Sequence, residues 1–326
     1  MKAAIWTAYG PPEVLVTGEL PKPVPKENEI LIKVVASTVT AGDCELRRFD
    51  IATWIWLPVR LFIGIFKPRI KVLGQEFAGI IEAVGAKVKS YEPGMKVFST
   101  GGVKMGGYGE YVCLPEKHPV APIPQNLPLK ECAAISTGGT NGVHFVRNGE
   151  VKAGDKVLIN GAGGSIGTIS LQLCKHLGAE VSCVDSKSKH EMLTTLGADH
   201  VIDYREQDFT TLDAQYDVII DIVGLNHLNS ALNKLRANGH IVLGNPTFTS
   251  MIWGLWINKT TNKKAKFSLA GENKEDNLHL VELIEKGIIK IPIDREFDLD
   301  QIVEAHHYVE SGEKKGNVLV NVFLSD

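Results

Sequence analysis

The stretch VLINGAGGSIGTISLQ (157–172) constrains the fold more than any other part of the sequence. An apolar run leads into closely spaced glycines and a helix-like run follows them, so the chain turns sharply between a strand and a helix. Aligned on the strand, the turn gives Ala162-x-Gly164-x-x-Gly167, a dinucleotide fingerprint with alanine at its first position. Such a turn lets backbone N–H groups approach a pyrophosphate at the positive end of a helix.

The surroundings of this turn favour a nucleotide site over a glycine-rich turn without a ligand. From about residue 123 onward, strand-like runs alternate with helix-like runs, which predicts a doubly wound parallel sheet. The pattern predicts a helix over 228–239 that stops at Gly239, and a sixth strand over 264–271. The predicted contacts to the pyrophosphate are Gly161, Ala162, Gly163, Gly164, Ser165, Ile166 and Gly167.

Asp185 ends the strand-like run EVSCVD that follows the turn. An acid at this position usually bonds the ribose 2′-hydroxyl and repels a 2′-phosphate, which favours NAD(H). Lys187, Lys189 and Tyr204 are close enough in sequence to hold a 2′-phosphate instead, although the lysines also suit a solvated helix start. The sequence leaves the choice between NAD(H) and NADP(H) open.

The pattern of strand-like and helix-like runs changes along the chain, which predicts two domains. Residues 1–122 and 272–326 carry short strand-like runs between proline- and glycine-rich turns, and 123–271 carry the alternating pattern. A chain of 326 residues is long for a single core. We therefore predict a nucleotide-binding domain over 123–271, inserted between two pieces of a mainly β domain.

Composition limits the partners and the compartment. A net charge of −3 and a pI of about 6.4 provide no basic field for nucleic acid. The five cysteines are scattered and never form a C-x-x-C pair, which predicts reduced thiols. The first residues lack the features of a signal peptide, so a cytoplasmic location is expected.

Two apolar stretches need an interpretation, Trp54–Phe66 and Met251–Trp256. Both are too short to span a bilayer, so no stable membrane insertion is predicted. We favour a buried segment or pocket wall for both, with contact to a membrane surface as the alternative.

Several motifs run in order along the chain: GQEFAGIIEAVG, GGYGEYVCLP, the glycine-rich turn, LGADHVIDYREQDF, DIVG and KKGNVLVNV. Together they resemble the medium-chain dehydrogenase/reductase superfamily, and more narrowly its zinc-free quinone oxidoreductase branch. The resemblance implies a GroES-like catalytic domain split around a Rossmann domain, in a homodimer.

The zinc ligands of the metal-dependent relatives are missing from this chain. The resemblance places their cysteine at Thr40 and their histidine at Gln75, and their third ligand falls near Ser136 and Thr137. Glu76 alone remains, and one carboxylate cannot replace the three protein ligands of a catalytic zinc. The sequence therefore predicts no zinc.

Without a metal, nothing stabilises the alkoxide that develops when an unactivated alcohol is oxidised. Electron-poor acceptors remain feasible, since quinones and α,β-unsaturated carbonyls spread the charge themselves. The expected activity is hydride transfer from NADPH or NADH to a small hydrophobic quinone or carbonyl. A zinc-free enoyl reductase acting on acyl thioesters and a nucleotide-sensing protein without turnover are the alternatives.

The resemblance places Thr40, Gln75 and Tyr108 at the reaction cleft. Each has a second interpretation: Thr40 as a backbone-bonding strand end, Gln75 as an amide satisfying local backbone, and Tyr108 as a cover for the cleft. No convincing general acid is found. The further cofactor contacts that the resemblance implies are Thr137, Thr140, Ile222, Val223, Gly224, Gly244, Asn245 and Asn317.

Overall fold

The computed structural model describes residues 1–225, 228–267, 270–271 and 273–323. The strands are β1 Lys2–Trp6, β2 Leu15–Glu19, β3 Glu29–Thr38, β4 Glu76–Val84, β5 Lys96–Thr100, β6 Tyr111–Pro115, β7 Ala121–Pro122, β8 Lys156–Asn160, β9 Glu180–Asp185, β10 His200–Asp203, β11 Tyr216–Asp221, β12 Leu235–Leu243, β13 Lys264–Lys266, β14 Ile293–Asp298 and β15 Asn317–Asn321. The α-helices are α1 Ala41–Arg48, α2 Thr53–Ile63, α3 Ser136–Gly149, α4 Ser165–His176, α5 His190–Thr195, α6 Leu228–Asn233, α7 Phe248–Thr260, α8 Lys274–Glu285 and α9 Ile302–Glu310.

The second half of the chain builds a parallel sheet. Among the described residues its strand order is β10-β9-β8-β11-β12-β13, and every pairing is parallel. The order reverses between β8 and β11, and ligands bind at such a switch point, outside the carboxyl ends of the strands. The predicted doubly wound α/β fold is confirmed.

A second, mixed sheet combines the two ends of the chain. Its path is β14-β15-β3-β4-β5-β7, and β6 also pairs with β3. The return of β15 to pair antiparallel with β3 joins the C-terminal segment to the N-terminal one. The domain limits at 122/123 and 271/272 stay a prediction.

The predicted helix over 228–239 is wrong in its second half. The helix α6 ends at Asn233, and Leu235 already pairs with Tyr216 in the sheet. Gly239 lies inside β12 rather than at a helix end, with Asp217 O only 2.9 Å from where a Cβ would stand. The glycine therefore marks a close strand approach, which its sequence position did not reveal. In the predicted sixth strand, β13 covers Lys264–Lys266 and residues 268–269 lie outside the described residues.

The two apolar stretches are not buried segments, although Trp54 lines a cavity as the pocket-wall interpretation predicts. The first stretch forms α2 with the residues after it and the second forms the middle of α7, and the large side chains on both are mainly exposed. Only Ile63 of α2 and Gly254 and Ile257 of α7 are buried. Of the described helices, none has the length and apolar character needed to cross a membrane.

Candidate active site

The phosphate loop joins β8 to α4 in a conformation that glycine makes possible. Gly161 has φ +85°, and a Cβ there would lie 2.5 Å from Val223. At Gly167 a Cβ would lie 2.5 Å from the Ala162 Cα, so α4 passes directly against the loop. Gly164 precedes the helix in an extended conformation and faces open space, with no atom closer than 4.0 Å to its Cβ position. The first-turn amides of a helix have no acceptor within it, so the N-terminus of α4 is suited to an anion.

Asp185 supports the loop from the end of β9. Its Oδ2 accepts the Gly163 N–H at 2.7 Å, and its Oδ1 accepts the Ser186 N–H at 2.8 Å. Lys189 Nζ lies 2.8 Å from Oδ1, and both side chains are nearly buried. Because each carboxylate oxygen already has a partner and a cation neutralises the charge, Asp185 does not present a free acid to a ribose.

Tyr204 lies near the same strand ends. Asp203 pairs in register with Asp185, so Tyr204 follows directly beyond the edge of the sheet. Its ring is exposed, and Arg205 Nε donates to its hydroxyl at 3.4 Å. Lys187 is also exposed, whereas Lys189 is not.

The segment before β15 closes the other side of the loop. Gly316 donates its N–H to Gly163 O at 2.9 Å, and Lys314 Nζ donates to Ser165 Oγ at 3.1 Å. Burial lowers the pKa of Lys314 to about 8, and nearby Glu76 acts in the opposite direction. Sequence reasoning missed Lys314, although the KKGN motif contains it. Asn317 is buried, and its Oδ1 has no hydrogen-bond partner among the described residues.

A cavity of about 460 Å³ opens at the carboxyl edge of the parallel sheet. Val223, Gly224 and Asn245 line it, opposite residues 50–54. Ile222 donates its N–H to Asn160 O at 3.0 Å, and Gly244 donates to Asp221 O at 2.7 Å, so both hold strand ends together. Asp221 also lines the cavity, and burial raises its pKa to about 6. The structure thus gathers the predicted residues of β11 and β12 at one opening.

A second cavity, of about 510 Å³, contains Gln75, Thr137 and Thr140. The Gln75 N–H donates to Asp43 Oδ1 at 3.1 Å, which fixes its backbone while its side chain faces the cavity. The Thr137 Oγ1 is buried without a hydrogen-bond partner among the described residues. Thr140 Oγ1 instead donates to Ser136 O at 2.8 Å.

Glu76 connects the mixed sheet to the start of α3. Its Oε1 accepts the Thr38 hydroxyl at 2.7 Å, and its Oε2 accepts the Thr137 N–H at 2.7 Å. The side chain is fully buried, and this burial raises its pKa to about 7. Glu76 therefore positions Thr137, which lines the second cavity.

Thr40 is the N-cap of α1. Its Oγ1 donates to Asp43 Oδ2 at 2.6 Å and accepts the Asp43 N–H at 3.1 Å, so a capping box uses its hydroxyl. Burial raises the pKa of Asp43 to about 6. Thr40 does not line either cavity, which supports the backbone-bonding interpretation over a contact to substrate.

The predicted placement of Tyr108 at the cleft is wrong. The residue has no exposed surface and packs in the core of the mixed sheet. Its ring stands edge-on to His306, with 5.7 Å between centroids, and burial raises the pKa of the phenol well above its usual value. A strand-edge tyrosine beside glycines looks accessible in sequence, but β1 and the loop before β4 cover it: Ala4 N–H donates to Tyr108 O at 2.9 Å.

The side chains at the positions of the zinc ligands do not fit zinc. Thr40, Gln75, Ser136 and Thr137 offer hydroxyl and amide groups, whereas catalytic zinc is held by thiolate, imidazole and carboxylate ligands. Within 1–225, 228–267, 270–271 and 273–323, no three His, Cys, Asp or Glu side chains come together as a metal site.

Two family models match the chain. Residues 26–125 match the alcohol dehydrogenase GroES-like domain, and residues 196–320 match the model described as zinc-binding dehydrogenase. The chain is 29% identical to the 2-methylene-furan-3-one reductase of Solanum lycopersicum, over 98% of this chain and 79% of that protein. It is 30% identical to the quinone oxidoreductase of Sus scrofa, over 72% of this chain and 70% of that protein.

A solved structure extends the likeness to the whole fold. The quinone oxidoreductase of Escherichia coli, complexed with NADPH, superposes with a TM-score of 0.84 at 25% identity, over 98% of this chain and 100% of that one. The chain therefore belongs to the medium-chain dehydrogenase/reductase superfamily. Within it the chain falls in the quinone oxidoreductase branch, as its motifs predict.

Proposed function

We propose that the chain is a reductase that transfers a hydride from NADPH or NADH to a quinone or an α,β-unsaturated carbonyl, without zinc. The observation that carries the proposal is the glycine cradle at 161–167, which lies beside the first cavity: a Cβ at Gly161 would stand 2.5 Å from Val223, a residue of that cavity's wall. The names of the relatives and the NADPH complex of the bacterial structure support the same chemistry.

The cradle would hold the pyrophosphate, and a bound nicotinamide would supply the hydride. Lys314 stands beside Ser165 at the start of α4, so its cation adds to the field of the helix N-terminus. Asn317 Oδ1 and Thr137 Oγ1 are buried polar atoms without hydrogen-bond partners in the part of the chain that the structure describes, and a dinucleotide would satisfy them. Val223, Gly224 and Asn245 would border the nicotinamide.

NADPH is the coenzyme that we propose as preferred. Lys189 neutralises Asp185, which removes the usual repulsion between an acid at this strand end and a 2′-phosphate. Lys187, Tyr204 and Arg205 are exposed beside it and would contact that phosphate.

Gln75 would orient the acceptor. Its side-chain amide lies in the wall of the second cavity, where an N–H can donate to a carbonyl oxygen as negative charge develops there. We assign no catalytic role to Thr40 or Tyr108. Solvent would deliver the proton that completes the reduction.

The remaining predictions concern assembly and location. We propose a homodimer, a cytoplasmic location and a Rossmann domain over 123–271 inserted in a catalytic domain formed by 1–122 and 272–326. The five free cysteines of the described residues agree with a reducing compartment.

The test is a substrate panel with chelator-treated protein of measured zinc content. We expect oxidation of NADPH, faster than of NADH, with quinones and enones and none with simple alcohols. Turnover restricted to enoyl thioesters would favour the acyl-thioester alternative, and coenzyme binding without turnover would favour a sensor. Alcohol oxidation restored by stoichiometric zinc would contradict the proposal.

A further inference from the structure

The exposed apolar side chains of the protein are concentrated on two segments. Of the twenty large apolar residues exposed in the described part of the chain, twelve lie in 54–66 or 248–256. These segments contain four of the five tryptophans. The twelve are Trp54, Trp56, Leu57, Leu61, Phe62, Ile65, Phe66, Phe248, Ile252, Trp253, Leu255 and Trp256. A soluble monomer rarely exposes so many in contiguous stretches unless they form an interface.

The two segments meet at the mouth of the same cavity. Thr53 and Trp54, at the start of α2, line the cavity of about 460 Å³, and so do Thr247 and Ser250, at the start of α7. The apolar helices therefore flank the opening that leads to Val223 and Asn245. We call the exposed surface of α2, residues 64–66 and α7 the apolar rim.

The apolar rim lies in stretches without acids. Residues 51–75 and 222–271 contain no aspartate or glutamate. Cations follow each helix instead: Lys67, Arg69 and Lys71 after α2, and Lys259 and Lys264 at the end of α7 and beyond it, all exposed. Exposed tryptophans suit the boundary between lipid and water, and neighbouring cations are attracted to the surface of an anionic membrane.

We propose that the apolar rim docks the protein on an anionic lipid bilayer, with the cavity mouth facing the membrane. If the apolar rims of two copies met, neither 51–75 nor 222–271 would supply an acid to pair with these cations, whereas anionic headgroups complement them. A quinone or long-chain enone dissolved in the lipid would then enter the cavity directly from the bilayer. This part of the inference, about the acceptor, rests on the proposed function.

The test is flotation of the full chain with two kinds of vesicle, phosphatidylcholine alone and phosphatidylcholine mixed with phosphatidylglycerol. We expect binding to the mixed vesicles only, weakened by salt. The double variant Trp253→Ser/Trp256→Ser, and separately Leu61→Ser/Phe66→Ser, should weaken binding at least tenfold. The charge variant Lys67→Glu/Lys71→Glu should do the same. Val24→Ser/Leu278→Ser removes equally exposed apolar groups elsewhere and should bind like the wild type.

Thermal unfolding and light scattering accompany each variant, so that misfolding and changes of assembly are recognised. The inference is overturned if wild type does not float with mixed vesicles, or if the control variant loses binding equally. It is also overturned if the rim variants only convert a dimer to monomers while vesicle binding persists, because the rim is then an interface between copies.

Turnover separates this inference from the proposed function. The rim variants should reduce a short, water-soluble quinone at the wild-type rate but a long-chain quinone in mixed vesicles at least tenfold more slowly. Vesicle binding by a protein that reduces neither quinones nor enones would contradict the proposed function and leave the docking surface supported. Equal rates of all variants with the vesicle quinone would refute entry from the bilayer.

Discussion

Asp185 and Glu76 illustrate how far single residues can be interpreted from sequence. The position of Asp185 at a strand end follows from the alternation of apolar runs, so its place beside the loop was predictable. Its contacts with Gly163 and Lys189 were not, because they depend on how a 3-10 turn after β9 folds back. Thr40-x-x-Asp43 has the spacing of a capping box, so the sequence already contained the signal for its structural role.

A single residue, Glu76, also gives a prediction about how stability depends on pH. Its folded pKa, about 7, lies above its ordinary value of 4.5, so the folded state holds a proton that the unfolded state has released. Its cost to stability is therefore absent below about pH 4.5, grows as the pH rises toward 7, and is constant above that. Glu76→Gln removes this cost. The free energy of unfolding of the wild type should fall between pH 5 and pH 8, and we expect that fall to be smaller by about 2 kcal/mol in the variant.

The measurement is urea unfolding of wild type and Glu76→Gln at a series of pH values. Glu116→Gln is a suitable control, because its carboxylate is exposed and its pKa is lowered by the backbone amides of Lys89 and Ser90. A variant whose stability runs parallel to wild type from pH 5 to pH 8 would show that Glu76 is ionised throughout.

At the scale of elements, the sequence predicted the strand–turn–helix of the phosphate loop because apolar periodicity and glycine spacing agree there. It failed at α6 and β12, where a run with helical character is drawn into the sheet by pairing of Leu235 with Tyr216. It also failed at α2 and α7, because an apolar run in the sequence does not reveal whether its side chains are buried in the fold or exposed to solvent. Tertiary context decided each of these cases.

The loop itself provides the element-scale prediction. A methyl group at Gly167 would lie 2.5 Å from the backbone of Ala162, so Gly167→Ala must push α4 away from the loop. We expect at least a tenfold loss of affinity for NADPH and about 1–3 kcal/mol of stability. Titration calorimetry and thermal unfolding measure the two effects.

Gly271→Ala is the matched control, because no atom of the described residues lies within 4 Å of its Cβ position and its backbone is unstrained. It should bind NADPH like the wild type. If Gly167→Ala also binds with wild-type affinity, the loop does not hold the coenzyme.

The whole molecule combines a parallel sheet of the dinucleotide-binding type with a mixed sheet. Strands from both ends of the chain form the mixed sheet. This order was predictable from the succession of motifs, whereas the assignment of residues to cavities was not. Gln75, expected at the reaction cleft, and Thr137, expected at the cofactor, share one cavity, whereas Val223 and Asn245 line another.

The central claim is that a dinucleotide lies over 161–167 and reduces its acceptor without a metal. A crystal structure of the protein soaked with NADPH, with anomalous data collected at the zinc edge, tests it most directly. We predict pyrophosphate density against the amides of the loop, the nicotinamide near Thr137 and Val223, and no anomalous peak beside Gln75. An empty loop, or zinc at Gln75, would contradict it.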